Sequence, residues 1–485
     1  MKINKGNYKL RNNLLLIQLL VGFATIIPEI SCNKMVEVNS PVTSLTGSNL
    51  YSQNTTASAV LTGVYANLSA GDIFSTGVYS ISILSGMSAD ELTLYNTADP
   101  TFSAYYRNDL SASINLSPWT YCYSILLSVN SALEGVSNSK TLTTAVQRQL
   151  MGEAEFVRAY CYFYLVNLYG DVPLVLTPNY TINATLSRTP KEIVLAQIVA
   201  DLTNAESLLS PNYLDATLLA STTERVRPTS WAAKSLLART YLYLKQWDSA
   251  GILSSQVINN SQYSLDTLNG VFLMNSSEAI WQLQPVNSGW NTEDARVFVL
   301  PSTGPSLDAI NPVYLSSSLL ESFEPGDQRL VNWVDSLSIG GTTYYYPYKY
   351  KSATFGSSVT EYLTVLRLAE QYLIRSEAEA NGASGGISAA INDLNIIRKR
   401  AGLADYSGAI DETSVLKAIY HERQVELFTE WGHRWLDLKR TATIDSVMNI
   451  VCPIKGNSWT SYMQLYPIPL QDIKSDPNLT QNPGY

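Results

Sequence analysis

His421-Glu422 opens like the HExxH of zinc peptidases, but Val425 stands where the second histidine would have to sit. That chemistry needs two histidines one helical turn apart on one face. His433 is the only other histidine in the chain, so no histidine-built metal centre is expected. Glu422, Glu426 and Glu430 recur every four residues, with Arg423 between them and Arg434 beyond. On one helix face such a pattern reads as an ion-pair network before it reads as an acid and a base. Glycosidase carboxylates need only the right separation in space, so the sequence leaves that chemistry open. No GxSxG elbow, phosphate-binding glycine loop, dinucleotide fingerprint or EF-hand spacing occurs. No cofactor and no metal ligand set is implied.

Binding chemistry is better represented. The chain has 31 tyrosines against 9 tryptophans and 10 phenylalanines. Tyrosine offers a flat apolar face with a hydrogen-bonding tip, which suits sugars and peptides. Most of these rings are expected to pack helix against helix. The remainder should lie in the polar segments 69–118 and 262–362, which are rich in Ser, Thr, Asn, Gly and Pro. Long loops on a rigid frame are where binding usually resides.

At the N-terminus, Lys2, Lys5, Lys9 and Arg11 precede an apolar run from Leu14 to Ile27 that stops at Pro28-Glu29. This is the pattern of a signal peptide, too short for a spanning helix. Ser31-Cys32 resembles the lipobox of bacterial lipoproteins, with Glu29 where a leucine is usual, and makes Cys32 the expected lipidated N-terminus. The formal charge is −9, and loss of residues 1–31 brings it to −12. So acidic a chain is a poor partner for nucleic acid. The three cysteines beyond Cys32 show no close spacing, which argues against a disulfide framework.

These segments need a frame, and the hydrophobic pattern supplies one. Residues 32–55 are a polar tether, and apolar residues then recur at helical spacing over Ala59–Leu68, Trp119–Leu133, Gln149–Leu168 and about Pro190–Leu209. Thr189 is the expected cap of the last, with Pro190 in its first turn. Pro228–Ile258 and Val365–Arg400 each read as a helical hairpin of tetratricopeptide type. Such hairpins bury their apolar faces by stacking, which predicts a mostly α fold: a superhelix of hairpins, long irregular loops and a few short strands. Thr342–Tyr350 is one expected strand.

The runs GEAEFVRAYCYFYLVNLYGDVPL, RTPKEIVLAQIVADLTNAESLL, VLRLAEQYLIRSEAEA, LNIIRKRAGL, HERQVELFTEWGHRWLDLKR and the C-terminal YPIPLQDIKSDPNLTQNPGY are very similar to segments of the SusD/RagB family, in family order. The resemblance covers essentially the whole chain and divides it into a signal peptide (1–31), a lipidated tether (32–55) and a SusD-like body (56–485). It implies an outer-membrane lipoprotein facing the cell exterior that does no covalent chemistry. Such a protein captures oligosaccharide or polysaccharide for a SusC-type TonB-dependent barrel transporter. Peptide capture is the alternative, and a surface glycosidase a weaker one.

Family ligand sites lie in variable loops, here Asp90–Arg107 and Gln284–Pro305. The ligand contacts expected from them are Tyr95, Asn96, Tyr105, Tyr106, Arg107, Trp290, Asn291 and Arg296. Arg158, Asp201 and the Glu422/Arg423 pair read instead as buried charges of the scaffold.

Overall fold

Side chains cap several of the helices, and glycine or another left-handed residue follows the end of several. The computed structural model describes residues 47–70, 77–114, 118–306 and 310–485, so the expected signal peptide, Cys32 and most of the tether lie outside the described residues. The chain runs through α1 (Asn54–Ala70), α2 (Ile81–Ser88), β1 (Leu92–Leu94), α3 (Pro100–Tyr106), α4 (Pro118–Asn138) and α5 (Thr144–Tyr169). Gly170, at φ 75°, ends α5 and its N–H bonds Val166 O, a turn that favours glycine. Next comes α6 (Lys191–Leu208). Thr189 does not cap it. Thr189 exchanges backbone hydrogen bonds with Val172, and Asp171 Oδ1 accepts from Lys191 N at 2.9 Å, so the cap reaches across from the end of α5.

The first expected hairpin is α7 (Ser230–Tyr243) and α8 (Trp247–Ile258), with Thr229 as N-cap. After it come β2 (Ala279–Leu283), α9 (Glu293–Phe298), β3 (Val313–Leu315), β4 (Val334–Ile339), β5 (Thr342–Pro347) and β6 (Leu363–Arg367). The second hairpin is α10 (Leu368–Ala380) and α11 (Gly386–Arg400), followed by α12 (Glu412–Glu426), α13 (His433–Arg440) and α14 (Ile444–Ile454). Val365 to Arg367, expected at the head of a helix, are the end of β6 because they pair with β2.

Helices α4, α5, α6, α7, α8, α10, α11 and α12 pack each against the next, which is the expected stack of hairpins. The strand-bearing segment between α8 and α10 interrupts the array in sequence. Its strands, with β1 from the segment after α2, form three antiparallel pairs, β1 with β3, β2 with β6 and β4 with β5. In the last, Gly340 and Gly341 both take positive φ between the paired Ile339 and Thr342, the geometry a two-residue hairpin turn requires. Trp281 on β2 is fully buried against Phe156 and Tyr160 of α5 and Tyr65 of α1, fixing the strand pair to the helices.

Ion pairs set the register of the stack. Arg158 of α5 forks onto Asp201 of α6 at 2.8 and 2.7 Å and also bonds Asn130 of α4 at 3.1 Å. Arg239 of α7 forks likewise onto Glu370 of α10. Glu422, Glu426 and Glu430 are buried among cations: Arg329 reaches Glu422 at 2.6 Å, Arg367 reaches Glu426 at 2.6 Å and Glu430 at 2.8 Å, and Lys349 reaches Glu430 at 2.5 Å. The three do not share one helix. α12 ends at Glu426, and Glu430 lies in a turn where Thr429 and Trp431 have positive φ.

Candidate functional site

β1 and β3 are only three residues long, yet their pairing assembles a cluster of tyrosines. Thr93 sits opposite Tyr314, and Tyr95, just beyond β1, donates its N–H to Pro312 O at 2.8 Å. β5 lies against β3 and brings Tyr344 into the group. The Tyr344 ring stands edge-on to Tyr95 at 5.8 Å and to Tyr314 at 5.2 Å between centroids. Tyr106, at the end of α3, lies near the Thr93 side chain and within electrostatic reach of Tyr314. Tyr95 is 41% exposed, and Tyr106, Tyr314 and Tyr344 are half-buried. Four phenol rings from three segments of chain thus share one locality, each at least partly exposed.

The support beneath β1 is rigid. Arg434 forks onto Asp90 with two contacts of 2.7 Å. Lys455 Nζ donates to the carbonyls of Met87, Ser88 and Ala89 and lies 5.3 Å from the Tyr106 ring. Burial pulls this ammonium down to about 8. Glu91 accepts from Thr429 N at 3.2 Å; burial, reinforced by the neighbouring Asp90 charge, pushes it up to about 8. Ser316 ties the end of β3 to both residues through Glu91 O and Asp90 O.

A second aromatic group lies after β2. Trp290 is half-buried, the Arg296 guanidinium covers it at 5.0 Å, and Phe355 packs beside it at 5.4 Å. Arg296 is paired with Glu293, which accepts from Asn287. Phe355, 67% exposed, presents the open surface of this group. Gly289 makes the close approach: a Cβ there would come within 2.5 Å of the Phe355 ring.

The expected ligand contacts therefore divide. Tyr95 and Tyr106 meet in one cluster, and Trp290 and Arg296 in another. Asn96 flanks Tyr95, and its side-chain oxygen accepts from Ala98 N. Arg107 donates to Gly456 O at 2.6 Å beside Lys455. Tyr105 and Asn291 are corrected by their burial, each at 2% exposure. Tyr105 packs edge-on to Tyr466, while Asn291 donates to Ser358 O and accepts from Thr360 N and Glu361 N. Neither has a polar group to spare. Tyr314, Tyr344 and Phe355 were missed because their polar, aromatic segments give no signal of which distant loop they will join.

Comparison with known proteins agrees with this architecture. Residues 37–242 match a family model described as starch-binding and associating with the outer membrane, and residues 332–485 match the SusD family model. The chain belongs to the SusD/RagB family. Among relatives, SusD-like protein P25 of Formosa agariphila is 24% identical over 94% of this chain and 97% of its own length. The starch-binding protein SusD of Bacteroides thetaiotaomicron is 33% identical over 25% of this chain and 21% of its own. A SusD superfamily structure from Bacteroides vulgatus superposes with a TM-score of 0.75 at 23% identity, covering 89% of this chain and 99% of that one. A laminarin-binding SusD-like protein gives 0.74 at 24% identity, covering 90% and 100%. The SusD fold of the body is thus established, and SusD family proteins are associated with the outer membrane.

Proposed function

We propose that this chain is a surface-exposed lipoprotein that binds oligosaccharide or polysaccharide at the tyrosine cluster and delivers it to a SusC-type TonB-dependent transporter. In this reading residues 1–31 are a signal peptide, Cys32 carries the lipid, residues 32–55 are the tether and the remainder is the binding body. The observation that carries it is the meeting of Tyr95, Tyr106, Tyr314 and Tyr344. Sugar rings offer apolar C–H faces to aromatic rings and paired hydroxyls to planar amides and guanidinium groups. Asn96 and Arg107 supply such groups beside the rings. Trp290, Arg296 and Phe355 form a second aromatic group of the same chemistry. Relatives named for starch and laminarin binding favour a glycan over a peptide. The clustered carboxylates of α12 and the turn after it are committed to arginine and lysine, which favours binding over hydrolysis.

The test is calorimetric titration of the protein and its Tyr344→Ala variant against a panel of polysaccharides and peptides. Stacking on one aromatic is worth roughly 1–3 kcal/mol by analogy with base stacking, and about 1.4 kcal/mol is tenfold in affinity. The variant should lose about tenfold or more for the glycan the wild type binds, with its melting temperature nearly unchanged. Undiminished affinity, or binding confined to peptides, would remove the cluster from this role.

A further inference from the structure

Between α1, the loop 214–227 and the exit of β2 lies a cavity of about 300 Å³, a size at which small-ligand sites begin. It shares no lining residue with the tyrosine cluster. Its walls are aliphatic, built from Ala66, Leu214, Val226, Leu283 and Val286. The one ring in its lining is that of Tyr65, which is buried, so a sugar would find no open aromatic face here.

Its charges are unevenly answered. Arg227 is neutralised by Glu153 at 2.7 Å and further held by Ser58 and Thr62. Asp215 and Glu224, which line the same cavity, bond neutral donors. Asp215 Oδ1 accepts from Thr217 N and Oγ1 at 3.0 and 2.6 Å. Glu224 Oε1 accepts from Asn275 Nδ2 at 3.1 Å, and its Oε2 is enclosed without a well-formed hydrogen bond. An aliphatic wall with two unneutralised carboxylates matches a methylene stem that ends in a cation. It repels an alkyl acid and gives a neutral alkyl chain no polar partner.

We propose that this cavity takes a lysine or arginine side chain of a polypeptide, its stem along the aliphatic wall and its cation held by Asp215 and Glu224. This is a second site with a different ligand class from the glycan reading, and it stands whether or not the tyrosine cluster binds sugar.

The test is calorimetry on the full-length protein in detergent with three probes, Gly-Lys-Gly, Gly-norleucine-Gly and Gly-Glu-Gly. Gly-Lys-Gly should saturate one site about tenfold or more tighter than the norleucine peptide and weaken as salt rises, because the contact is between charges. Glu224→Gln should lose about tenfold for the lysine peptide, and Ala216→Trp, at the cavity mouth, should block it. Circular dichroism and the melting temperature confirm the fold of each variant. If Glu224→Gln does not fold, Asp215→Asn takes its place. Equal binding of the lysine and norleucine peptides, lysine binding unchanged in the folded carboxamide variant, or no saturable binding of Gly-Lys-Gly up to about 10 mM overturns the proposal. Failure here with glycan binding intact separates it from the reading of the tyrosine cluster.

Discussion

Tyr105 and Tyr106 are consecutive, yet one is in the core and the other at the candidate site. A helix turns about 100° per residue, so a short helix such as α3 decides which of two neighbouring rings faces ligand. Nothing in the run Tyr-Tyr-Arg gives that phase. Tyr95 was legible because it stands alone in a polar segment, and its partners Tyr314 and Tyr344 were not, because strand pairing brings them from far along the chain. Glu91 beneath them was equally silent in the sequence, and it makes a prediction at this scale. Its folded pKa is about 8 against an ordinary 4.5, so between those values the folded state holds a proton that the unfolded chain has released. Stability attributable to Glu91 is therefore full below about 4.5 and falls as pH rises towards about 8. Glu91→Gln keeps an acceptor for Thr429 N and removes the titration. Thermal unfolding of both proteins from pH 5 to pH 8 should show the variant gaining on the wild type as pH rises. A constant difference would mean that Glu91 is ionised throughout.

The long helices were legible to within about five residues because a period of 3.6 repeated over several turns is a strong signal. By contrast, the short α2 and α3 lie in a segment that reads as loop, and β1 and β3, at three residues each, carry no period at all. Even within helices the tertiary partners prevail at the ends. Asp171 caps α6 from outside it, and pairing with β2 draws Val365–Arg367 into a strand. The charges that read as scaffold are scaffold, and Arg158 with Asp201 shows why: one bidentate contact, extended to Asn130, clamps α4, α5 and α6. Removing one member of a buried pair strands the other and costs about 3–5 kcal/mol. Gln197, which also donates to Asp201, places Arg158→Ala towards the lower end of that range. Chemical denaturation should show this loss while glycan affinity, measured where the variant is folded, stays unchanged. Lost binding with unchanged stability would contradict the division between frame and site.

At the scale of the molecule, the helical array is a support on which the segments between helices converge to form the tyrosine cluster, and a capture protein must also stay where its ligand arrives. No helix among the described residues is long and apolar enough to cross a membrane. The apolar run Leu14–Ile27 is shorter than the roughly 20 residues a span requires. Electrostatic adhesion is also disfavoured, since a chain of formal charge −12 after loss of residues 1–31 is repelled by anionic lipid. In the proposed reading the attachment is lipid on Cys32. Lipid anchoring acts by burying methylene groups, each worth about 0.8 kcal/mol, and salt does not screen it as it screens charge. The wild type should therefore remain with the outer membrane through a high-salt wash, while Cys32→Ala should be lost from that fraction. Separating inner from outer membranes distinguishes release from retention of an uncleaved precursor, which would collect in the inner membrane through its apolar run. A Cys32→Ala protein that still sediments with outer membranes after the wash would show that another contact, such as one with the transporter, holds it in place.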